Sequence, residues 1–144
     1  MNPQKIILSA DDDEDDQLFI KDAFESSAMP SRLYFTEDGQ DLLNYLRHQG
    51  KYLDGRIPSP RPDLILLDLN MPRKNGYEAL QEIKSDPKLS TIPITVLTTS
   101  NNRDEITRCY RMGANSFVTK PASYDGFVGI ANSFCSNSEK HNSI

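Results

Sequence analysis

Apolar residues fall into short unbroken runs alternating with stretches at helical spacing. Lys5 to Ala10 (KIILSA) and Leu64 to Asp68 (LILLD) are short apolar runs that end on or just before an acid. Runs without polar alternation fit strands buried on both faces, as in a parallel sheet. Arg32 to Thr36 reads as a second strand. The fourth opens at Ile92-Pro93-Ile94 and ends at Leu97-Thr98-Thr99, and the fifth is Ser116 to Thr119. Between them the spacing predicts helices. The first runs to about Ser27, with Leu18, Phe19, Ala23 and Phe24 buried, and is stopped by Ala28-Met29-Pro30. The second covers about Gly39 to Gln49, burying Leu42, Leu43 and Leu46. The third covers Gly76 to Ser85, burying Leu80 and Ile83, and Asp86-Pro87 stops it. The fourth covers Arg103 to Met112, with Gly113 as its C-terminal stop. The fifth covers Ser123 to Cys135, with Phe127, Ile130, Ala131 and Phe134 at i, i+3, i+4 and i+7.

Five strands alternating with five helices imply an α/β fold, a parallel sheet covered on both faces. Residues 1–135 are expected to make one domain, followed by a polar tail, 136–144, with no room for an output domain. Residues 50 to 62 carry two glycines and three prolines in a connection longer than most in compact domains. The net charge of −5 argues against a nucleic-acid surface, which needs a basic patch. Cys109 and Cys135 lack metal-type spacing, and no run is apolar enough for a signal peptide or a bilayer span. A reduced, cytoplasmic setting is the expectation.

Chemistry gathers where strands stop. Strand one ends at Asp11 and Asp12, strand three at Asp68, strand four at Thr98 and strand five at Lys120. Parallel strands place these ends on one sheet edge, where open α/β sheets bind ligands. If strands one and three are neighbours, three carboxylates converge. Two carboxylates about 4 Å apart repel by roughly 4 kcal/mol at an effective dielectric near 20. A hard cation relieves this, and Mg²⁺ leaves positions for water and phosphate. With Lys120 and the Thr98 hydroxyl nearby, such a site could hold a phosphoryl group, and Asp68 becomes a candidate nucleophile.

These motifs, namely the acid pair after ILSA, D-x-N-M-P-x-x-x-G, the LTT after strand four and the K-P after strand five, resemble the receiver domains of two-component response regulators from about Lys5 to Cys135. Each motif is weak alone; the four in this order are specific. The resemblance implies a flavodoxin-like (βα)5 doubly wound fold with strand order 2-1-3-4-5. It implies Asp68 as phosphoacceptor, and Asp11, Asp12, Asp68 and the Asn70 backbone carbonyl as ligands of Mg²⁺ or Mn²⁺. Thr98 matches the switch hydroxyl, Lys120 the family's lysine and Phe117 the switch aromatic. Lys120-Pro121 matches a bond that is typically cis in the family. Asp16 matches an acid frequent in one subfamily. The Pro-rich loop and the LTTS run are similar to single-domain regulators paired with bacterial phytochromes. The implied partner is a sensor histidine kinase, of phytochrome type on that subfamily likeness, with a homodimer through helix four, strand five and helix five. Thr99 departs from the Ala or Gly frequent at that position, and its branched side chain is expected to narrow access to a phosphoryl group.

Blander readings account for other residues. Asp13 to Asp15 read as a solvated helix start, since acids favour helix N-termini. An EF-hand beginning at Asp11 fails, because its sixth position is Asp16 rather than Gly and its twelfth is Asp22 rather than Glu. His48 and His141 have no evident partner. Three rival functions stay open. A haloacid-dehalogenase-type phosphatase fits Asp11-x-Asp13 but lacks a cap domain. A flavin module of the same fold meets the wrong acid loop. A receiver-like interaction module that is never phosphorylated keeps the constellation without using it.

Overall fold

The computed structural model describes residues 4–27, 30–99 and 102–142, with side chains through Phe134. Ala28, Met29 and Ser100, parts of the expected first-helix stop and of the LTTS run, lie outside the described residues, as does the His141 side chain. Elements follow in the order β1 (Lys5–Ala10), α1 (Glu14–Glu25), β2 (Ser31–Thr36), α2 (Gly39–Arg47), β3 (Leu64–Leu67), α3 (Gly76–Ser85), β4 (Ile94–Thr98), α4 (Arg103–Arg111), β5 (Ser116–Thr119) and α5 (Tyr124–Asn142). The sheet order is β2-β1-β3-β4-β5, and every pair is parallel. Ala10 pairs with Leu67, so the residues after β1 and β3 emerge side by side.

The sheet is buried on both faces, which is why its strands read as unbroken apolar runs. On one face Ile7, Leu66 and Leu97 pack against Ile20, Ala23 and Phe24 of α1 and Phe127 and Ala131 of α5. On the other, Leu8, Ile65, Leu67, Ile94 and Val96 meet α2, α3 and Cys109 of α4. β4 begins after Pro93, which has no N–H for the ladder but whose carbonyl accepts from Ile65 N at 2.9 Å.

Three expectations need correction. Leu18 is 54% exposed, and Ile20, at 2%, takes its place in the core. Ile20, Ala23 and Phe24 share one stripe at i, i+3 and i+4, and Leu18 lies about 200° round the helix from Ile20. Phe19 is half-buried against the rings of Tyr124 and Phe127. Helix five runs past Cys135 to Asn142, because Ser136 to Asn142 is polar but holds no Gly or Pro to break it. No cis peptide bond occurs among the described residues, so Lys120–Pro121 is trans, the isomer that X–Pro bonds favour by about 0.5–1 kcal/mol.

The long 50–62 connection is tied to α2 and its neighbours. The Tyr45 hydroxyl donates to Pro60 O at 2.7 Å, and His48 Nε2 lies 2.9 Å from Ser59 O, a partner the sequence did not suggest. Tyr52 donates to buried Asp41 at 2.7 Å. Gly76 lets α3 start against the loop after β3. A Cβ there would stand 2.4 Å from Asp68 O and 2.5 Å from Leu69 Cα, backbone atoms that cannot yield.

Truncating the core and the misread position should separate cleanly. Ile83→Ala should cost about 2–5 kcal/mol, and Leu18→Ala should stay within about 0.5 kcal/mol, both read as shifts in urea midpoint at constant m-value.

Candidate active site

The carboxyl ends of β1, β3, β4 and β5 deliver Asp11, Asp68, Thr98 and Lys120 to one edge. Asp11 follows β1, is buried, and is fixed at both ends. Its N–H donates to Thr36 O at 3.1 Å, and its Oδ1 accepts from Asp13 N at 2.9 Å. Asp12 beside it is exposed. Asp68 is buried just beyond β3, and its N–H donates to Ala10 O at 3.0 Å. Its Oδ1 accepts from Asn70 N at 3.1 Å, and its Oδ2 accepts from Lys120 Nζ at 3.2 Å. Each of Asp11, Asp12 and Asp68 offers an oxygen within 4.8 Å of the others. The three acids converge as their strand ends imply.

Lys120 neutralises part of this charge. Its Nζ is 2.9 Å from Asp11 Oδ2, a close ion pair, and donates to Asp16 Oδ2 at 2.9 Å. Burial opposes the charge on Lys120, but Asp16, Asp11 and Asp68 outweigh it and raise its pKa above the ordinary value. Burial is also the main force on Asp11, lifting it to about 6. The Asp68 charge pushes the same way, against the Asp13 N–H and Lys120. One ammonium is too little for these acids. A cluster of hard carboxylate oxygens with a surplus of negative charge fits Mg²⁺ or Mn²⁺, and Asp11, Asp12 and Asp68 could bind such an ion.

Thr98 is fully buried at the end of β4, and its Oγ1 has no hydrogen-bond partner among the described residues. A buried unpaired hydroxyl costs about 1–3 kcal/mol. Its carbonyl accepts from Lys120 N at 2.6 Å, tying β4 to the lysine. Phe117 is half-buried against the α2–α3–α4 side of the core, and its N–H donates to the Tyr110 hydroxyl of α4 at 3.1 Å. Asn70 is exposed on the loop between the buried anchors Leu69 and Met71.

Two supports were not foreseen from the sequence. Gln17 Nε2 donates to Asp11 O at 2.9 Å and to Thr36 O at 3.1 Å, while its Oε1 accepts from Ser9 Oγ at 2.7 Å. It thereby pins α1 across the ends of β1 and β2. Buried Asp38 caps α2 through Asp41 N at 2.8 Å and accepts from Arg73 Nε at 2.7 Å, bracing the loop that follows Asp68. The capping half of that role was available, since an acid before a helix start is a cap signal. Nothing in the sequence pairs Asp38 with Arg73. Asp13 spends its side chain on the N–H groups of Asp15 and Asp16, as a helix cap, and stays outside the acid cluster. That removes the second acid of the phosphatase-type D-x-D.

Among the described residues no helix is long and apolar enough to cross a membrane. A family model described as the response regulator receiver domain matches residues 7–131. Response regulator Rcp1 of Synechocystis sp. (strain ATCC 27184 / PCC 6803 / Kazusa) is 41% identical over 119 residues, covering 83% of this chain and 78% of its own length. The fold is similar to that of the phosphorylated cyanobacterial phytochrome response regulator RcpA, with a TM-score of 0.82 and 39% identity over 92% of this chain and 91% of that one. It is also similar to the Mn²⁺-bound form of Rcp1, with a TM-score of 0.80 and 36% identity over 90% of each chain. With five parallel strands in the order 2-1-3-4-5, an acid cluster suited to a divalent cation and these relatives, the chain belongs to the response regulator receiver domain family.

Proposed function

We propose that this chain is a phospho-accepting switch, a receiver body through residue 135 that takes a phosphoryl group onto Asp68 from the histidine of a sensor kinase. The observation that carries the reading is the setting of Asp68. One of its oxygens is oriented by Asn70 N–H, the other meets Lys120, and Thr98 at the same sheet edge keeps a buried hydroxyl without a partner among the described residues. A carboxylate oxygen of Asp68 attacks phosphorus, the phosphorus–nitrogen bond of the donor breaks, and the electron pair leaves with the donor imidazole. Asp11, Asp12, Asp68 and the Asn70 carbonyl would hold Mg²⁺ or Mn²⁺, which neutralises charge on the transferring group. Lys120 supplies a second positive charge, and the Thr98 hydroxyl donates to a phosphoryl oxygen.

The switch follows from that last contact. When Thr98 turns to the phosphoryl group, space opens beside β5 and Phe117 moves inward. The backbone N–H of Phe117 is bonded to Tyr110, so its shift reaches α4. A local charge event thus biases the α4–β5–α5 face, the surface assigned here to a homodimer or a downstream partner. The phytochrome pairing of RcpA favours a phytochrome-type kinase, and two cysteines without a disulfide framework favour a cytoplasmic setting. The net charge of −5 fits a protein partner rather than nucleic acid. The chain catalyses its own phosphorylation and dephosphorylation and turns over no other substrate.

Acetyl phosphate with Mg²⁺ should add one phosphoryl group to the chain by intact mass spectrometry, and Asp68→Asn should take none. A labelled Asp68→Asn, or an unlabelled wild type beside a labelled control receiver, would overturn the reading. A cation that binds only the folded state stabilises by about 2.7 kcal/mol at a hundredfold excess over its dissociation constant, which is several degrees of Tm for a chain of this size. Mg²⁺ or Mn²⁺ should therefore raise Tm in the wild type and in Asp13→Asn, which keeps a good helix cap, but much less in Asp12→Asn. Thr99 is exposed at the rim of the site; Thr99→Ala should lose its phosphoryl group faster than the wild type, and equal decay rates would dismiss the gating role.

A further inference from the structure

A lysine ammonium has three N–H donors and no acceptor. Lys120 Nζ faces three carboxylate oxygens, Asp16 Oδ2 at 2.9 Å, Asp11 Oδ2 at 2.9 Å and Asp68 Oδ2 at 3.2 Å. Asp16 and Asp68 accept hydrogen bonds from it, and Asp11 Oδ2 is held by charge alone; the three acids also differ in what else they serve. Asp11 and Asp68 belong with Asp12 to the converging cluster, and Asp16 does not. A divalent cation in that cluster competes with Lys120 for oxygens of Asp11 and Asp68. An acyl phosphate on Asp68 takes one of its oxygens into a new bond and moves the negative charge outward onto the phosphoryl oxygens. Both contacts are therefore exchanged during the reaction, whereas nothing in the reaction touches Asp16.

Asp16 is also well anchored. It lies in the first turn of α1, where its N–H donates to the capping Asp13 Oδ1 at 3.2 Å. The next residue, Gln17, binds that turn to Asp11 O and Thr36 O. The Asp16 side chain is 18% exposed, so its pairing with Lys120, itself 8% exposed, is shielded from solvent. We propose that Asp16 is a positioning residue that holds the Lys120 ammonium over Asp68 while Asp11 and Asp68 give up their contacts with Lys120, Asp11 to a divalent cation and Asp68 on taking the phosphoryl group. The proposal rests on the phosphorylation of Asp68.

A double-mutant cycle tests it. Asp16→Asn, close to isosteric, Lys120→Met and the double variant are compared by initial rate of phosphorylation by acetyl phosphate with Mg²⁺ and by urea midpoint without metal. Asp16→Asn should slow phosphorylation on the order of tenfold, within the usual range for coupled neighbours. In the Lys120→Met background the same change should have little effect, and Asp16→Glu should recover part of the loss. Without metal, the midpoint shifts of the two single variants should fail to add. Equal slowing in both backgrounds, or no slowing in either, would overturn the role. A wild type that takes no phosphoryl group overturns the phosphorylation of Asp68 and the proposal's part in it. The metal-free arm then still decides the pairing, and additive midpoint shifts would reject it.

Discussion

The site depends on the attraction between one buried ammonium and the carboxylates around it. Lys120 stands within 3.2 Å of oxygens from Asp11 and Asp16 at the β1–α1 junction and from Asp68 after β3. Without it these acids would repel by several kcal/mol per pair even at an effective dielectric near 20. With it the site is still short of positive charge, and burial lifts Asp11 to about 6. The edge is therefore stable enough to fold and unbalanced enough to take a divalent cation.

That balance needs the fold to hold charge in place. Parallel pairing of β1 with β3 sets Asp11 beside Asp68, and Asp68 N–H bonds directly to Ala10 O. The side chains that keep the loops still are not themselves charged into the cluster. Gln17 closes the β1 and β2 ends, Asp38 holds Arg73, and Gly76 lets α3 approach the Asp68 backbone more closely than any side chain would permit. Each supports the geometry from behind, and each stands at the start of a different helix.

The sequence made the sheet and the candidate site residues legible, and the reason is physical. Strands buried on both faces must be continuous apolar runs, so their ends are sharp, and the candidate residues sit at those ends. Asp11, Asp68, Thr98 and Lys120 are readable for that reason. Leu18 departs from expectation because apolarity alone does not mean burial: its neighbours at helical spacing, Glu14, Asp22 and Glu25, are acids, which puts it on the solvent side. The end of α5 is not marked by polarity, because polar residues without Gly or Pro do not break a helix. The Asp16–Lys120, Gln17–Thr36 and Asp38–Arg73 contacts were out of reach for a different reason. They join residues far apart in the chain through side-chain geometry, which no local pattern encodes.

The unpartnered hydroxyl of Thr98 gives the proposed switch its scale. A ligand shifts a two-state equilibrium only by its difference in affinity for the two states. A buried hydroxyl left unpaired costs about 1–3 kcal/mol, and much of that is recovered when an acceptor reaches it. Coupling of this size corresponds to a shift of about 5- to 150-fold. Moving a population from 1:99 to 99:1 needs about 5.5 kcal/mol, so the Thr98 contact alone falls short of complete switching. The Phe117 ring, half in the core, and the Phe117–Tyr110 bond, which ties β5 to α4, are the elements placed to supply the remainder. On the proposed function, phosphorylation then tips a surface already close to balance, and a partner that favours one arrangement completes the shift.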